Sequence, residues 1–128
     1  MSYEILRRRA ESFLRHAIDD FERGDYDLVL FHVEQAIQLF AKYLLYRKLG
    51  DFPKTHSIVS LLRDLSRIYG SRELESFVNS RIELLYLLEE SYITSRYIPR
   101  EYDLEIAKRA LELGKKLLEV FKWLEKTS

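Results

Sequence analysis

Between residues 26 and 49, apolar side chains fall on nearly every face of what reads as one helix: Leu28, Val29, Leu30, Phe31, Val33, Ala36, Ile37, Leu39, Phe40, Tyr43, Leu44, Leu45 and Tyr46. A helix that is apolar all round must be covered all round. The chain has 128 residues, enough for one ordinary domain and too few for two. This segment is therefore either the central helix of a single domain over 1–128 or part of a subunit interface. The aromatic load of Phe31, Phe40, Tyr43 and Tyr46 exceeds what one small bundle readily covers, which predicts a homodimer.

The rest of the chain reads as further helices. Leu6, Ala10, Phe13, Leu14, Ala17, Ile18 and Phe21 recur at three-and-four spacing and predict an amphipathic helix over 3–23. Gly24 ends it, and Asp25 is an N-cap for the apolar helix. Thr55 reads as the N-cap of a shorter third helix carrying Ile58, Leu61, Leu62, Leu65 and Ile68. Gly70-Ser71 then separates it from a fourth helix over 72–92. Residues 94–102 read as a loop, because Pro99 pushes Ile98 out of the helical region. The last helix, over 103–125, buries a stripe from Leu104 to Leu124. Gly114 within it costs about 1 kcal/mol against Ala in a helix interior, a cost that close approach of a neighbouring helix would offset. No segment alternates like a strand. The expected fold is all-α: an up-and-down four-helix bundle with an additional short helix, five helices in all. Only four Gly and two Pro punctuate the chain, which favours such long elements.

Charge and composition narrow the function. Lys and Arg number 21, and so do Asp and Glu, giving zero formal net charge. That argues against a charge-driven nucleic-acid coat, though not against a local basic patch. Cysteine is absent, which removes thiolate metal sites, cysteine nucleophiles and disulfides, and is compatible with the cytoplasm. The first residues carry Arg7-Arg8-Arg9 with no apolar run behind them, unlike a signal peptide. No stretch reads as the roughly 20 apolar residues of a membrane span, so no membrane is expected. Asn occurs once and Gln twice, while Glu, Lys and Arg are plentiful, as in hyperthermophile usage. This predicts a melting midpoint above the ~45–65 °C typical of mesophile domains, to be measured by scanning calorimetry.

The motifs of common chemistries are missing. His16, His32 and His56 form no HExxH pattern, no P-loop is present, and neither GxGxxG nor GxSxG occurs. No metal or other cofactor is expected. Three polar features remain. Gln35, Gln38 and Lys42 share one face of the apolar helix. They are either donors to a nucleotide or phosphate in a groove between helices, or simply a solvent strip or a hydrogen-bonded interface set, and the plainer alternative carries the greater weight. Lys54-Thr55-His56 opens the third helix, where a basic residue beside a helix N-terminus is a natural anion site; ordinary capping by Thr55 is the plainer alternative. The segment from Ser91 to Tyr97 interleaves aromatic and hydroxyl groups with Arg96. Arg96 can fork onto a phosphate and Tyr97 can stack on a base, or Arg96 can cap the fourth helix while Tyr97 covers the bundle end. The run Arg7-Arg8-Arg9, beside Glu4 and Glu11, reads as a solvated face.

Taken in order, Gly24-Asp25-Tyr26, His32-Val33-Glu34-Gln35-Ala36 with Lys42, Pro53-Lys54-Thr55-His56, and Thr94-Ser95-Arg96-Tyr97 with Pro99 give the chain a resemblance to the HEPN (higher eukaryotes and prokaryotes nucleotide-binding) domain family over nearly its whole length. The resemblance implies a small helical bundle that forms homodimers, partnership with minimal nucleotidyltransferases, and in many members a toxin–antitoxin setting. Some branches are metal-independent ribonucleases whose motif is an Arg followed four to six residues later by a His. Arg96 matches the arginine, but 100–102 read Arg-Glu-Tyr and no His follows His56. The usual general base for a ribose 2′-hydroxyl is then missing, and Tyr97 or Tyr102 would need an implausible pKa to replace it. The expectation is a non-catalytic nucleotide- or RNA-binding module or nucleotidyltransferase partner, with Arg96, Tyr97, Thr94, Lys54, Gln35 and Tyr102 as ligand contacts. The alternative is a ribonuclease with a degenerate site across a homodimer.

Overall fold

The computed structural model describes residues 3–97 and 101–127, the side chains of 94–97 excepted. Among the described residues there are six helices and no strand: α1 (Glu4–Arg23), α2 (Tyr26–Leu49), α3 (Ile58–Tyr69), α4 (Arg72–Ser80), α5 (Ile82–Tyr97) and α6 (Leu104–Thr127). The first two keep the expected bounds almost to the residue. Asp25 occupies the N-cap of α2 without a side-chain capping bond.

α2 is the central helix. α1, α3, α5 and α6 all pack on it, and Val33, Ile37, Phe40 and Leu44 are sealed from solvent. By length and composition this helix is apolar enough to cross a membrane, which corrects the expectation that no stretch comes near that threshold. Here its own chain covers it. Of the aromatic side chains that suggested a homodimer, Phe40 and Tyr43 are buried within one chain, while Phe31 and Tyr46 are half-buried.

Directions follow from paired residues. Tyr3 stacks near Tyr46, and Asp20 bonds His32, so α1 runs antiparallel to α2. Phe40 packs on Phe121 with centroids 5.3 Å apart, and Tyr43 bonds Glu125, so α6 runs parallel to α2. α6 approaches closely where expected. A Cβ on Gly114 would lie 2.9 Å from Val33 Cγ1 and 3.5 Å from Leu14 Cδ1. Leu104, by contrast, is not part of the buried stripe, being 50% exposed.

Two expectations about the third and fourth helices need correction. α3 begins at Ile58, and its N-cap is Ser57, not Thr55: Ser57 Oγ accepts from the Ser60 N–H at 3.1 Å. Thr55 Oγ1 instead accepts from the Ser57 N–H in a local turn. The expected fourth helix is two helices, α4 and α5, making six rather than five. The break falls at Arg81, whose φ of −124° leaves the helical region. Ser80 Oγ bonds back to the Phe77 carbonyl and accepts from Arg81, whose guanidinium lies 4.0 Å from the Phe77 ring centroid. Such side-chain bonds compete with the helical ladder and end it there.

Candidate functional site

The polar face of α2 is a connected, largely buried set. Glu34 is sealed from solvent. It accepts a hydrogen bond on each carboxylate oxygen, from Gln35 Nε2 and from Gln38 Nε2, both at 2.8 Å. Lys42 Nζ donates to Gln38 Oε1 at 3.2 Å. Burial pushes the Glu34 carboxyl up to about 7. The two amide donors pull the other way, the nearby Glu89 charge adds to the rise, and Lys42 opposes it. Burial likewise lowers the Lys42 pKa, against the pull of Glu34. The face is therefore a hydrogen-bonded set rather than a solvent strip. Gln35 is half-buried and engaged with Glu34.

The N-terminus of α3 is filled from within the chain. Glu89 of α5 accepts from the Val59 N–H at 2.8 Å and from Ser57 Oγ at 2.6 Å. A carboxylate at a helix N-terminus satisfies the donors and the dipole that an external anion would use. Lys54 stays exposed in the connection before α3.

Beside this set runs a strip of rings. His56 stacks on Tyr92 with centroids 4.9 Å apart and planes 20° from parallel. Tyr92 lies 6.4 Å from Phe31 with planes 15° apart. Phe31 meets His32 edge-on at 5.4 Å, and His32 meets His16 edge-on at 5.6 Å. His32 is fixed from below: its Nδ1 bonds Asp20 Oδ2 at 2.5 Å, and the other Asp20 oxygen accepts from Arg23 at 3.2 Å. Asp20 is only 3% exposed.

The expected site residues distribute as follows. Thr94, Arg96 and Tyr97 sit in the last turn of α5, which corrects the loop expected for 94–97; their side chains lie outside the described residues. Tyr92 precedes Arg96 by about one turn, so the His56–Tyr92 stack lies at the foot of that turn. Gln35 follows Phe31 by one turn on α2. Tyr102 is half-buried and packs against the core instead. Of the triple-arginine run, Arg7 is tied to Glu125 at 2.9 Å and to Glu11 at 3.2 Å, while Arg8 and Arg9 are exposed. Sequence reasoning missed Glu34, Glu89 and the meeting of Tyr92 with His56. The sequence shows these Glu, His and Tyr residues one by one but does not say which of them meet.

Among the described residues no group of three or more His, Asp or Glu side chains could hold a metal ion. A surface cavity of about 460 Å³ lies elsewhere, lined by Phe77, Arg81, Lys116 and Trp123 with two glutamates. Its mixed charge favours no particular ligand.

No curated protein matches the chain. The crystal structure of TT1696 from Thermus thermophilus is similar, with a TM-score of 0.76 and 27% identity, covering 95% of this chain and 97% of that one. The HEPN domain model matches residues 3–124. With that match over nearly the full length, the chain belongs to the HEPN domain family.

Proposed function

We propose that this HEPN-domain protein binds a nucleotide or RNA at the C-terminal end of α5 without cleaving it. The observation that carries the reading is the His56–Tyr92 stack continuing to Phe31, directly before the turn with Thr94, Arg96 and Tyr97. An aromatic ring and an arginine one turn apart on a helix suit a base and its phosphate together. Lys54, two residues before His56, adds a charge, and Gln35 adds an amide one turn beyond Phe31. A base stacked on such rings is worth about 1–3 kcal/mol. Tyr92→Ala and Arg96→Ala are therefore each expected to weaken ATP or short-RNA binding about 10-fold, read by calorimetric titration. Unchanged affinity in both variants would overturn the reading.

One observation favours the ribonuclease alternative. His56 comes from the α2–α3 connection and stacks on Tyr92, which precedes Arg96 by about one turn of α5. An imidazole near Arg96 would supply the acid–base group that the sequence lacks after position 96. RNA incubated with the protein in a metal chelator separates the two. Cleavage lost in both Arg96→Ala and His56→Ala would establish the ribonuclease and refute the binding-only reading.

We further propose that two copies associate through apolar side chains left bare where α2 and α6 begin and α5 ends. Ile93 is 56% exposed there, Leu104 50% and Leu28 38%. Light scattering is expected to give a dimer at micromolar concentration, and a monomer would refute this. A minimal nucleotidyltransferase partner and a toxin–antitoxin setting rest on family membership alone, and co-purification from the native source tests the partner.

A further inference from the structure

His32 is held on every side but one. Asp20, 3% exposed, accepts at its Nδ1 at 2.5 Å, and the other Asp20 oxygen accepts from Arg23 at 3.2 Å. With a carboxylate at Nδ1, that nitrogen carries the hydrogen and Nε2 carries the lone pair. Phe13 stacks on the His32 ring at 5.7 Å with planes 25° apart, and Phe31 meets it edge-on at 5.4 Å. The ring faces are taken, and what the imidazole still offers is its in-plane Nε2. Among the described residues that nitrogen makes no hydrogen bond, although 18% of the side chain is exposed. His16 lies one turn before Asp20 on α1, so the two share a helix face. It is exposed, and the described contacts give it ring neighbours but no hydrogen bond or ion pair. Its ring centroid is 5.6 Å from that of His32, with planes 72° apart. Two imidazoles on one tetrahedral zinc, with Zn–N bonds of ~2.0–2.1 Å, hold their centroids about 5 Å apart. Exposed His16 reaches that separation by a small side-chain rotation while His32 stays fixed. A tie between α1 and α2 would be complete with Asp20 and His32 and has no use for His16.

We propose that His16 and the Nε2 of His32 form a two-histidine site for a divalent transition metal that prefers imidazole, namely zinc, nickel or copper. Asp20 is not a ligand, because both its oxygens are engaged. It positions His32 and raises the basicity of Nε2, as the carboxylate behind a metal-bound histidine does. The remaining coordination positions fall to water. The site joins α1 to α2 and does not depend on the nucleotide reading given above. Magnesium, which takes oxygen ligands, is not a candidate.

The experiment is calorimetric titration of the chelator-treated full chain with zinc chloride. One zinc per chain is expected, at micromolar concentration, and magnesium chloride should give no binding. His16→Ala, an exposed change that leaves the core intact, is expected to weaken zinc at least 10-fold. Asp20→Asn is expected to weaken it about 10- to 100-fold; its helix content is checked by circular dichroism, and His16→Ala decides alone where that buried change does not fold. Copper(II) supplies the direct readout. Its electron spin-echo modulation should show two coordinated imidazole nitrogens on the parent and one on His16→Ala. The site is wrong if zinc binds only at millimolar concentration or if parent and His16→Ala bind it equally. It is also wrong if copper on the parent shows a single imidazole, or if His56→Ala loses zinc while His16→Ala keeps it.

Discussion

Gly114→Ala is expected to lower the unfolding free energy by about 1–3 kcal/mol, the usual cost of forcing extra methyl groups into a packed core. At an exposed helix position the same change would add about 1 kcal/mol of stability. The sign reverses because the new Cβ would come within 2.9 Å of Val33 Cγ1. Val33 is fully buried, and a β-branched side chain in a helix has one strongly preferred rotamer, so it cannot swing aside. α6 and α2 must separate, and the Phe40–Phe121 contact opens with them. Urea unfolding of the single variants and of the pair with Val33→Ala measures this. The double variant should recover part of the loss, since shaving Val33 makes room for the methyl. A Gly114→Ala protein more stable than the parent would disprove the close approach.

Glu34 has the second large expected effect. Its carboxyl is raised from 4.5 to about 7 in the folded chain. Between those values the folded state holds a proton that the unfolded state has released, so stability falls as pH rises through that window. Above pH 7 the penalty for the buried charge is fully developed, at about 3 kcal/mol. Glu34→Gln keeps the shape and removes the charge. At pH 8 it is expected to be more stable than the parent by about 1–3 kcal/mol, allowing for an imperfect refit of Gln35 and Gln38. At pH 5 the two proteins should be nearly equal. Denaturant midpoints at pH 5, 6, 7 and 8 decide it, and parallel pH profiles for the two proteins would place the titration elsewhere.

Glu34 also shows where the sequence stops being informative. The centrality of α2 is legible because an all-round apolar helix has few other places to go. The close approach at Gly114 is legible because a helix-interior glycine carries a cost that packing can offset. Both signals are local. The burial of Glu34 depends on what α2 packs against, and Gln35 and Gln38 look equally at home on a wet face. The break at Arg81 depends on bonds among Phe77, Ser80 and Arg81 that single-residue propensities do not encode. The ring strip is harder still, because His16, His32, His56 and Tyr92 are spread over most of the chain and come together only when three helices have packed. The absence of a histidine after Arg96 is plain in the sequence. That His56, from the α2–α3 connection, meets Tyr92 of α5 is visible only in the fold.

The order of the helices along the chain has a consequence for synthesis. α2 leaves the ribosome early, whereas α6, which seals Val33 and Phe40 through Gly114 and Phe121, follows only after α3, α4 and α5. Arg7 and Glu125, which bond across α1 and α6, are 118 residues apart. While α3, α4 and α5 are being translated, one side of the most apolar helix in the protein has no cover from its own chain. Partly covered apolar surface of this kind is what holding chaperones recognise. Every newly made copy passes through that interval, and it closes only when α6 docks.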